Sequence, residues 1–260
     1  MAKHSEMAMK MGWGMAWPVM AVAFALCAPI WAGNVCTWQG GSGKLSDANW
    51  ADNAPVSGNG DTIYIDTTDG NPITIENDIA DDFSLAKIQF AYKDIGVGSC
   101  GQVTFTGKSM NIVSSGASSY VLVWDNGDST TAANRGPQVV MDVPVRFTKY
   151  CRVNASRALT FNKKVTIDDN GSVRLQWPVR YESTKEITTF NDEVYGPNAE
   201  IDNSLGSGGQ GTTVNYNGKV TLKTFRVNHA AYAKNAVLEL IKSNINEISE
   251  KFNTKNCIKG

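Results

Sequence analysis

Carboxylate pairs are the first candidates for chemistry in this chain, because polysaccharide-cleaving enzymes use two acids as catalysts. Adjacent acids occur at three places: Asp81-Asp82, Asp168-Asp169 and Asp192-Glu193. Neighbouring residues of a strand point to opposite faces, so the two carboxylates of one pair cannot hold the same substrate. Their setting among Asn and Gly residues is typical of solvated turns. The sequence therefore predicts no catalytic residue.

Histidine chemistry would depend on a single residue. The chain has two histidines, His4 near its start and His229 near its end, and no Gly-x-Ser-x-Gly motif accompanies either. A Ser-His-Asp or Cys-His arrangement would thus need His229. We predict that His229 is a surface residue between the last strand and a C-terminal helix.

Two short motifs match parts of known binding loops but lack a required residue. The Gly-Lys-Ser segment 107–109 matches the end of a phosphate-binding loop, yet the position that must be Gly is Gln102. Residues 69–70 (Asp-Gly) with Glu76 match part of a calcium loop whose first ligand would be Ile65. We expect strand corners at both places, with no cofactor-binding residue and no metal ligand.

Two alternatives stay open. One is an enzyme, a polysaccharide lyase or glycoside hydrolase, and the other is a carbohydrate-binding module. The enzyme requires acids and basic side chains to converge in one groove. The basic candidates for such a groove are Arg152, Arg174, Arg180 and Lys185. We predict that the chain is not an enzyme. Clustering of these side chains with Asp in a cleft would support the enzymatic alternative, and their scattering among turns would count against it.

Residues 1–32 have the organisation of a secretory signal, with two lysines before an uncharged apolar run over residues 17–28. The run is broken by proline and is shorter than the roughly 20 apolar residues that span a bilayer. We predict cleavage after Ala32, which leaves Gly33 as the mature N-terminus. Earlier cleavage near the small-x-small segment 23–25 and a retained membrane anchor are the alternatives.

The charge balance bounds the choice of partner. The full chain carries 24 basic and 25 acidic residues, a net charge of −1, and removal of residues 1–32 leaves 22 and 24. A nearly neutral chain has no bulk attraction for nucleic acid or anionic membranes. We therefore expect no nucleic-acid partner, and membrane contact only through the cleaved signal peptide.

Four cysteines remain after the leader, and an oxidising destination would permit up to two disulfides in any of three pairings. Their spacing does not match a zinc site, which needs closely spaced ligands. These cysteines are Cys36, Cys100, Cys151 and Cys257.

Apolar residues recur with period two over residues 61–228, in short bursts such as Ile63 and Ile65. This alternation is the pattern of strands with one buried face. Turn clusters rich in Asn and Gly separate the bursts. We predict an all-β domain over residues 33–230.

Three segments share one shape, a strand, a corner of Asn or Gly with Lys, and a second strand: 103–112, 159–167 and 214–222. Repeated units of this kind stack into a coil in which each rung packs on its neighbours. We predict a single-stranded right-handed parallel β-helix, or β-solenoid, with a β-sandwich as the alternative fold.

The segment 231–260 changes character. Apolar residues recur there at steps of three and four: Val237, Ile241, Ile245, Ile248 and Phe252. This spacing predicts a short amphipathic C-terminal α-helix that covers the last rung. In the alternative, residues 236–240 form one more strand and the remainder is the end of a truncated reading frame.

Residues near the mature N-terminus carry a recognisable motif: Thr37-Trp38, Gly40-Gly41, Asp47, Asn49-Trp50, Pro55 and Gly60-Asp61. The block from Thr37 to Ile65 resembles the N-terminal unit of autotransporter-associated β-strand repeat proteins, which are bacterial surface and secreted proteins with parallel β-helical passenger regions. Leu45 stands where that pattern has a further tryptophan.

The resemblance implies an exported, cell-surface or secreted protein with a structural or adhesive role, whose partners are glycans or other surface proteins. Such autotransporters end in a membrane barrel of many strands, and about thirty residues after position 230 cannot form one. We therefore expect a different export route or a fragment of a longer protein.

The residues of the motif also have a direct physical interpretation. Trp38 and Trp50 are predicted to cap the open end of the coil within residues 33–65, since each ring buries a large apolar area. Asn49 and Asp61 are predicted to close turns by bonding to backbone groups. In the alternative, the two tryptophans form an exposed platform on which a sugar stacks.

Overall fold

The computed structural model describes residues 33–91, 100–114, 120–124, 136–154, 158–176, 187–204, 213–228 and 237–240, which lie within the compact unit of residues 31–260. These residues are all-β, with no helix among them. The strands are β1 Val35–Trp38, β2 Gly43–Lys44, β3 Thr62–Ile65, β4 Ile73–Asn77, β5 Phe83–Leu85, β6 Lys87–Phe90, β7 Val103–Gly107, β8 Met110–Val113, β9 Tyr120–Trp124, β10 Val139–Met141, β11 Val145–Thr148, β12 Tyr150–Asn154, β13 Leu159–Phe161, β14 Val165–Ile167, β15 Ser172–Gln176, β16 Ile187–Phe190, β17 Val194–Ser204, β18 Thr213–Tyr216, β19 Val220–Asn228 and β20 Val237–Leu240.

The strands pair in parallel throughout the described ranges, and the one antiparallel contact there is an isolated bridge between Trp38 and Trp50. One sheet has the order β2-β4-β7-β10-β13-β16-β18-β20. The other has the order β1-β3-β6-β9-β12-β15-β17-β14-β11-β8-β5, with β19 also paired to β17. Every strand except β19 and β20 thus pairs with a strand from a later part of the chain.

Strand β17 joins the two halves of the larger sheet. Its first residues, Val194 and Tyr195, pair with β14, while its last five, residues 200–204, pair with β15. The register of β17 against β19 shifts between Gly196 and Glu200. Parallel strands in curled sheets fit the predicted solenoid, whereas a β-sandwich is built from antiparallel sheets.

The three strand-corner-strand segments predicted from the sequence are confirmed. They correspond to β7 with β8, β13 with β14, and β18 with the start of β19. The three first strands belong to the eight-stranded sheet and the three second strands belong to the twelve-stranded sheet. The repeated sequence pattern therefore marks places where the chain crosses from the eight-stranded sheet to the twelve-stranded sheet.

Alternate residues of most strands form an apolar core, as far as the structure describes their side chains. In the eight-stranded sheet, Phe105, Met141, Phe161, Phe190 and Tyr216 follow one another in register and are buried. The rings of Phe161 and Phe190 stack with centroids 4.9 Å apart, and those of Phe190 and Tyr216 stack at 5.0 Å. Such pairs add about 0.5–1.5 kcal/mol each beyond area burial. Burial also raises the pKa of the Tyr216 hydroxyl.

Asparagine side chains line one corner of the fold. Asn191 Nδ2 donates to Asn162 Oδ1 at 2.9 Å, and Asn217 Nδ2 donates to Asn191 Oδ1 at 2.7 Å. The backbone N–H of each of these residues donates to a carbonyl of the preceding rung. Asparagine suits such a corner because its amide both donates and accepts.

The predicted C-terminal helix is wrong where the structure describes that segment. Val237–Leu240 form β20, which pairs in parallel with Thr213–Tyr216 of β18, as the strand alternative proposed. The register places Leu238 and Leu240 opposite Val214 and Tyr216, so a period-two pattern continues the sheet. The unpaired backbone N–H and C=O groups along the edge of β18 favour a further strand there. Pairing with them outweighs the local helical spacing of the apolar residues. The other residues of segment 231–260 lie outside the described residues.

Candidate functional site

The two tryptophans of the N-terminal motif lie inside the protein. Trp38 is 2% exposed and Trp50 is 7% exposed. Their rings meet edge to face with centroids 4.9 Å apart. Trp38 Nε1 donates to the carbonyl of Gly41 at 3.0 Å, and Trp50 Nε1 donates to that of Leu45 at 3.1 Å. Both rings are therefore structural, and the alternative of an exposed sugar-stacking platform is wrong.

The chain between the tryptophans closes on itself. Gln39 N–H donates to the Asn49 carbonyl at 2.7 Å, and Ala51 N–H donates to the Thr37 carbonyl at 2.9 Å. A Cβ at Gly43 would lie 2.6 Å from Asn49 Nδ2. Gly40 and Gly41 of the motif have φ of +88° and +72°, a backbone region that glycine adopts without steric cost.

Asp61 organises the entry to β3 with its side chain completely buried. Its Oδ1 accepts the Asn34 N–H at 2.8 Å and the Asn59 side-chain amide at 3.1 Å, while Oδ2 accepts the Val56 N–H at 2.7 Å. A buried carboxylate is tolerated when its oxygens are satisfied in this way. The predicted turn-closing role of Asp61 is confirmed.

The segment 107–109 is a corner between β7 and β8, as expected. Gly107 has φ of +92°, and Lys108 Nζ donates to the carbonyls of Asp78 and Ile79 at 3.1 and 3.3 Å. The Ser109 hydroxyl donates to Asp82 Oδ1 at 3.0 Å. No helix follows to supply the N-terminus that a phosphate loop requires, among the residues the structure describes.

The Asp-Gly pair at residues 69–70 also forms a turn. Asp69 accepts the Asn71 N–H at 3.0 Å and its side-chain amide at 2.8 Å. Glu76 lies in β4 and pairs with Lys44 at 3.7 Å. Asp69 and Glu76, the two acids of the incomplete calcium motif, therefore bond to different partners.

The six acids of the three pairs lie outside the strands, at turns and corners, which is the setting predicted from their Asn and Gly neighbours. Asp168 pairs with Arg146, while Asp169 accepts the Asn198 amide at 3.2 Å. Asp82 contacts Ser109, and Glu193 pairs with Lys164 at 2.8 Å.

The structure does bring together two of the four basic candidates. Arg152 of β12 and Arg174 of β15 are in register on neighbouring strands. Arg152 is also in register with Tyr120 of β9, and Arg174 with Asp202 of β17. Together with Tyr150, two residues before Arg152, these side chains form what we call the arginine–tyrosine row: Tyr120, Tyr150, Arg152, Arg174 and Asp202.

Two kinds of contact hold the row together. The Arg152 Cζ lies 5.7 Å from the ring centroids of both Tyr120 and Tyr150. Hydrogen bonding to the Tyr150 hydroxyl raises the pKa of Arg152, and burial partly opposes this. The Nε of Arg174 lies 3.2 Å from Oδ2 of Asp202, a residue only 5% exposed. A row of this composition can hold a planar anionic group.

Sequence reasoning missed the aromatic half of this row. Tyr150 and Arg152 alternate within one short burst, so the period-two pattern could have placed them on one face. Tyr120 is thirty-two positions from Arg152, and no local signal gives that register. The other candidates, Arg180, Lys185 and His229, lie outside the described residues, as do Cys257 and the leader of residues 1–32.

The cysteines that the structure describes are buried, and Cys36 and Cys151 are free thiols. Burial, followed by the charges of Asp61 and Asp52, raises the pKa of Cys36 to about 11. Burial raises the pKa of Cys151 to about 12. Cys100 Sγ lies 3.9 Å from the Ala91 carbonyl oxygen.

In the described part of the chain, no group of three or more His, Cys, Asp or Glu side chains is placed to hold a metal ion. Within the same ranges, no helix is long and apolar enough to cross a membrane.

No family model, curated protein or solved structure matches this chain. The similarity to autotransporter-associated repeats thus rests on the motif residues alone and stays a prediction.

Proposed function

We propose that this chain is an exported parallel β-helix that acts outside the cytoplasm as an adhesive or structural surface module. The observation that carries the proposal is the ladder of eight parallel strands in the smaller sheet, each in register with the next. Such a ladder gives a long, regular outer face on which a partner can dock at many equivalent positions.

The larger sheet supports the same architecture. Its two halves give two further series of parallel strands, and β17 and β19 each contribute to both halves. Three series of strands correspond to the three faces of a coil, with one strand of each face per rung. The right hand of the coil follows from the general preference of parallel crossovers.

Polar side chains link successive strands of the larger sheet. Asn111 Nδ2 donates to Ser84 Oγ at 3.0 Å, and the Thr148 hydroxyl donates to Asn111 Oδ1 at 2.9 Å. Short polar chains fixed in this way form a rigid surface with little entropy left to lose on binding. Export is supported by the predicted signal of residues 1–32 and by the motif of residues 37–65.

A glycan array tests the adhesive role. The purified chain is expected to bind a defined set of glycans and to release no products from them. Binding to no glycan, together with no binding to surface proteins in a parallel capture assay, would contradict the adhesive role and leave only a structural one.

A polysaccharide lyase is the second candidate, because Arg152 and Arg174 lie side by side near the carboxylate of Asp202. The same glycans are incubated with the chain, and the ultraviolet absorbance of unsaturated uronate products is followed. Growth of this signal would replace adhesion by catalysis, and loss of the signal in Arg152→Gln would assign it to the arginine–tyrosine row.

A further inference from the structure

We propose that the arginine–tyrosine row binds the carboxylates of an acidic polysaccharide, a polymer of uronic acids. The inference rests on the proposed function, since it names the ligand class of the adhesive surface. It adds a specific binding site to a surface otherwise described only by its regularity.

Arg152 is the cation of the row that lacks a carboxylate partner among the described residues. Arg174 pairs with Asp202, and Arg146, on another part of the larger sheet, pairs with Asp168. Arg152 instead lies between two phenol rings and is only partly buried. Its planar guanidinium matches a carboxylate in shape and charge, so an external carboxylate would complete the site.

The two tyrosines favour a sugar as the carrier of that carboxylate. Tyr120 and Tyr150 are half-buried and flank the guanidinium of Arg152. A tyrosine offers an apolar ring face and a hydroxyl that both donates and accepts, and it loses little entropy on binding. The C–H groups of a pyranose pack on such a face while its hydroxyls bond to the rim.

The direction of the row suits a polymer. Tyr120, Arg152, Arg174 and Asp202 occupy register positions on four neighbouring strands. Strands lie about 4.8 Å apart, so the row is about 14 Å long. One sugar of an extended polysaccharide has a length similar to one strand spacing. A chain laid across the strands can therefore place successive sugars over successive residues of the row.

The modest charge of the row selects among polyanions. Two arginines and the buried Asp202 leave one net positive charge, and the chain as a whole has a net charge of −1. Nucleic acids and highly sulfated glycans draw their affinity from many cations that displace counterions. A polymer with one carboxylate per sugar needs no such field.

Titration calorimetry with the full chain and polygalacturonate tests the site, with the methyl-esterified polymer as the uncharged counterpart. Arg152→Gln and Tyr120→Leu are each expected to weaken binding at least about tenfold, since a charge-assisted bond or a stacking face is lost. Arg152→Lys should fall between wild type and Arg152→Gln. The matched control is Arg146→Gln, whose partner is Asp168, and it should bind like wild type.

Each contrary result has its own meaning. Polygalacturonate binding that Arg152→Gln leaves unchanged, in a variant with the wild-type circular dichroism spectrum, overturns the site. Equal binding of the esterified polymer overturns the role of the carboxylate. Tighter binding of DNA or heparin than of polygalacturonate overturns the ligand class. In all three cases a positive glycan array would leave the adhesive function intact, whereas a blank array would remove that function as well.

Discussion

Asp61 connects three chain segments at the start of the fold through its buried carboxylate. Replacement by Ala removes the acceptor of the Asn34 and Val56 N–H groups and of the Asn59 side-chain amide. We expect Asp61→Ala to lower the free energy of unfolding by about 2–4 kcal/mol, and Asp61→Asn by less, because one acceptor oxygen survives. Urea denaturation measures both values.

Asp66 is the matched control for this experiment. It is exposed and accepts a single backbone N–H, that of Thr68, at 2.8 Å. Asp66→Ala should cost less than about 1 kcal/mol. Equal costs at positions 61 and 66 would contradict the organising role of Asp61.

The buried thiols predict a loss of stability at alkaline pH. The native pKa is about 11 for Cys36 and about 12 for Cys151, above the ordinary value of 9.0. Above pH 9 the unfolded chain releases these protons and the native chain keeps them, so the stabilisation falls as pH rises from 9 toward the native pKa. Each thiol should cost about 1 to 1.5 kcal/mol between pH 8 and pH 10.

A double variant isolates this effect from the titration of lysine and tyrosine. Urea denaturation of wild type and of Cys36→Ala with Cys151→Ala is compared at pH 8 and pH 10. Wild type should lose more stability over this interval than the double variant. Parallel losses would show that the two thiols ionise freely in the native protein.

At the residue scale, sequence predicted the roles that depend on near neighbours. Asp61 bonds to groups two and five positions away as well as to Asn34, and a turn motif announces such contacts. The cation–π contact between Arg152 and the Tyr120 ring depends on the register of two strands that are far apart in the sequence. No local sequence pattern contains that register.

Corners are the elements on which the fold depends, and Gly107 gives the sharpest test of one. Its φ is +92°, and an added Cβ would lie 2.5 Å from the Asn77 carbonyl oxygen. Gly58 has a similar φ of +80°, but a Cβ there meets nothing within 4 Å. Backbone strain is thus common to both positions, and the steric clash belongs to Gly107 alone.

Thermal or urea unfolding should separate the two contributions. Gly58→Ala is expected to cost about 1 kcal/mol from backbone strain. Gly107→Ala is expected to cost at least about 2 kcal/mol more, because the β7–β8 corner must move. Equal costs would mean that this corner adapts without affecting the neighbouring rung.

At the scale of elements, period-two alternation was sufficient to predict an all-β domain, although β1, β2, β5 and β12 were not among the predicted bursts. It could not supply the pairing of β17 with β14 and β15, because a single long strand bends between two halves of a sheet. The prediction of a C-terminal helix was wrong for a related reason. The three-and-four spacing from Val237 onward favours a helix locally, whereas pairing with β18 decides the structure of residues 237–240.

Export is a property of the whole molecule that the leader predicts. The full chain, expressed in a bacterial host, should be recovered outside the cytoplasm with Gly33 at its N-terminus, as measured by intact mass. Ala32→Leu should slow processing, because signal cleavage requires a small residue at that position. Cytoplasmic recovery with residues 1–32 retained would contradict the export proposal.

The stacking of rungs is the central claim about the whole molecule, and spin-label distances test it most directly. Thr74, Thr104, Val140, Thr160, Thr189 and Asn215 follow one another in register across six neighbouring strands. Genetically encoded spin labels at Thr74 and one further position report the number of strand spacings between them. Since strands lie about 4.8 Å apart, the distances from position 74 to positions 160, 189 and 215 should be about 14, 19 and 24 Å. A steady increase of this size supports the stacked coil, while distances that do not grow with rung number would contradict it.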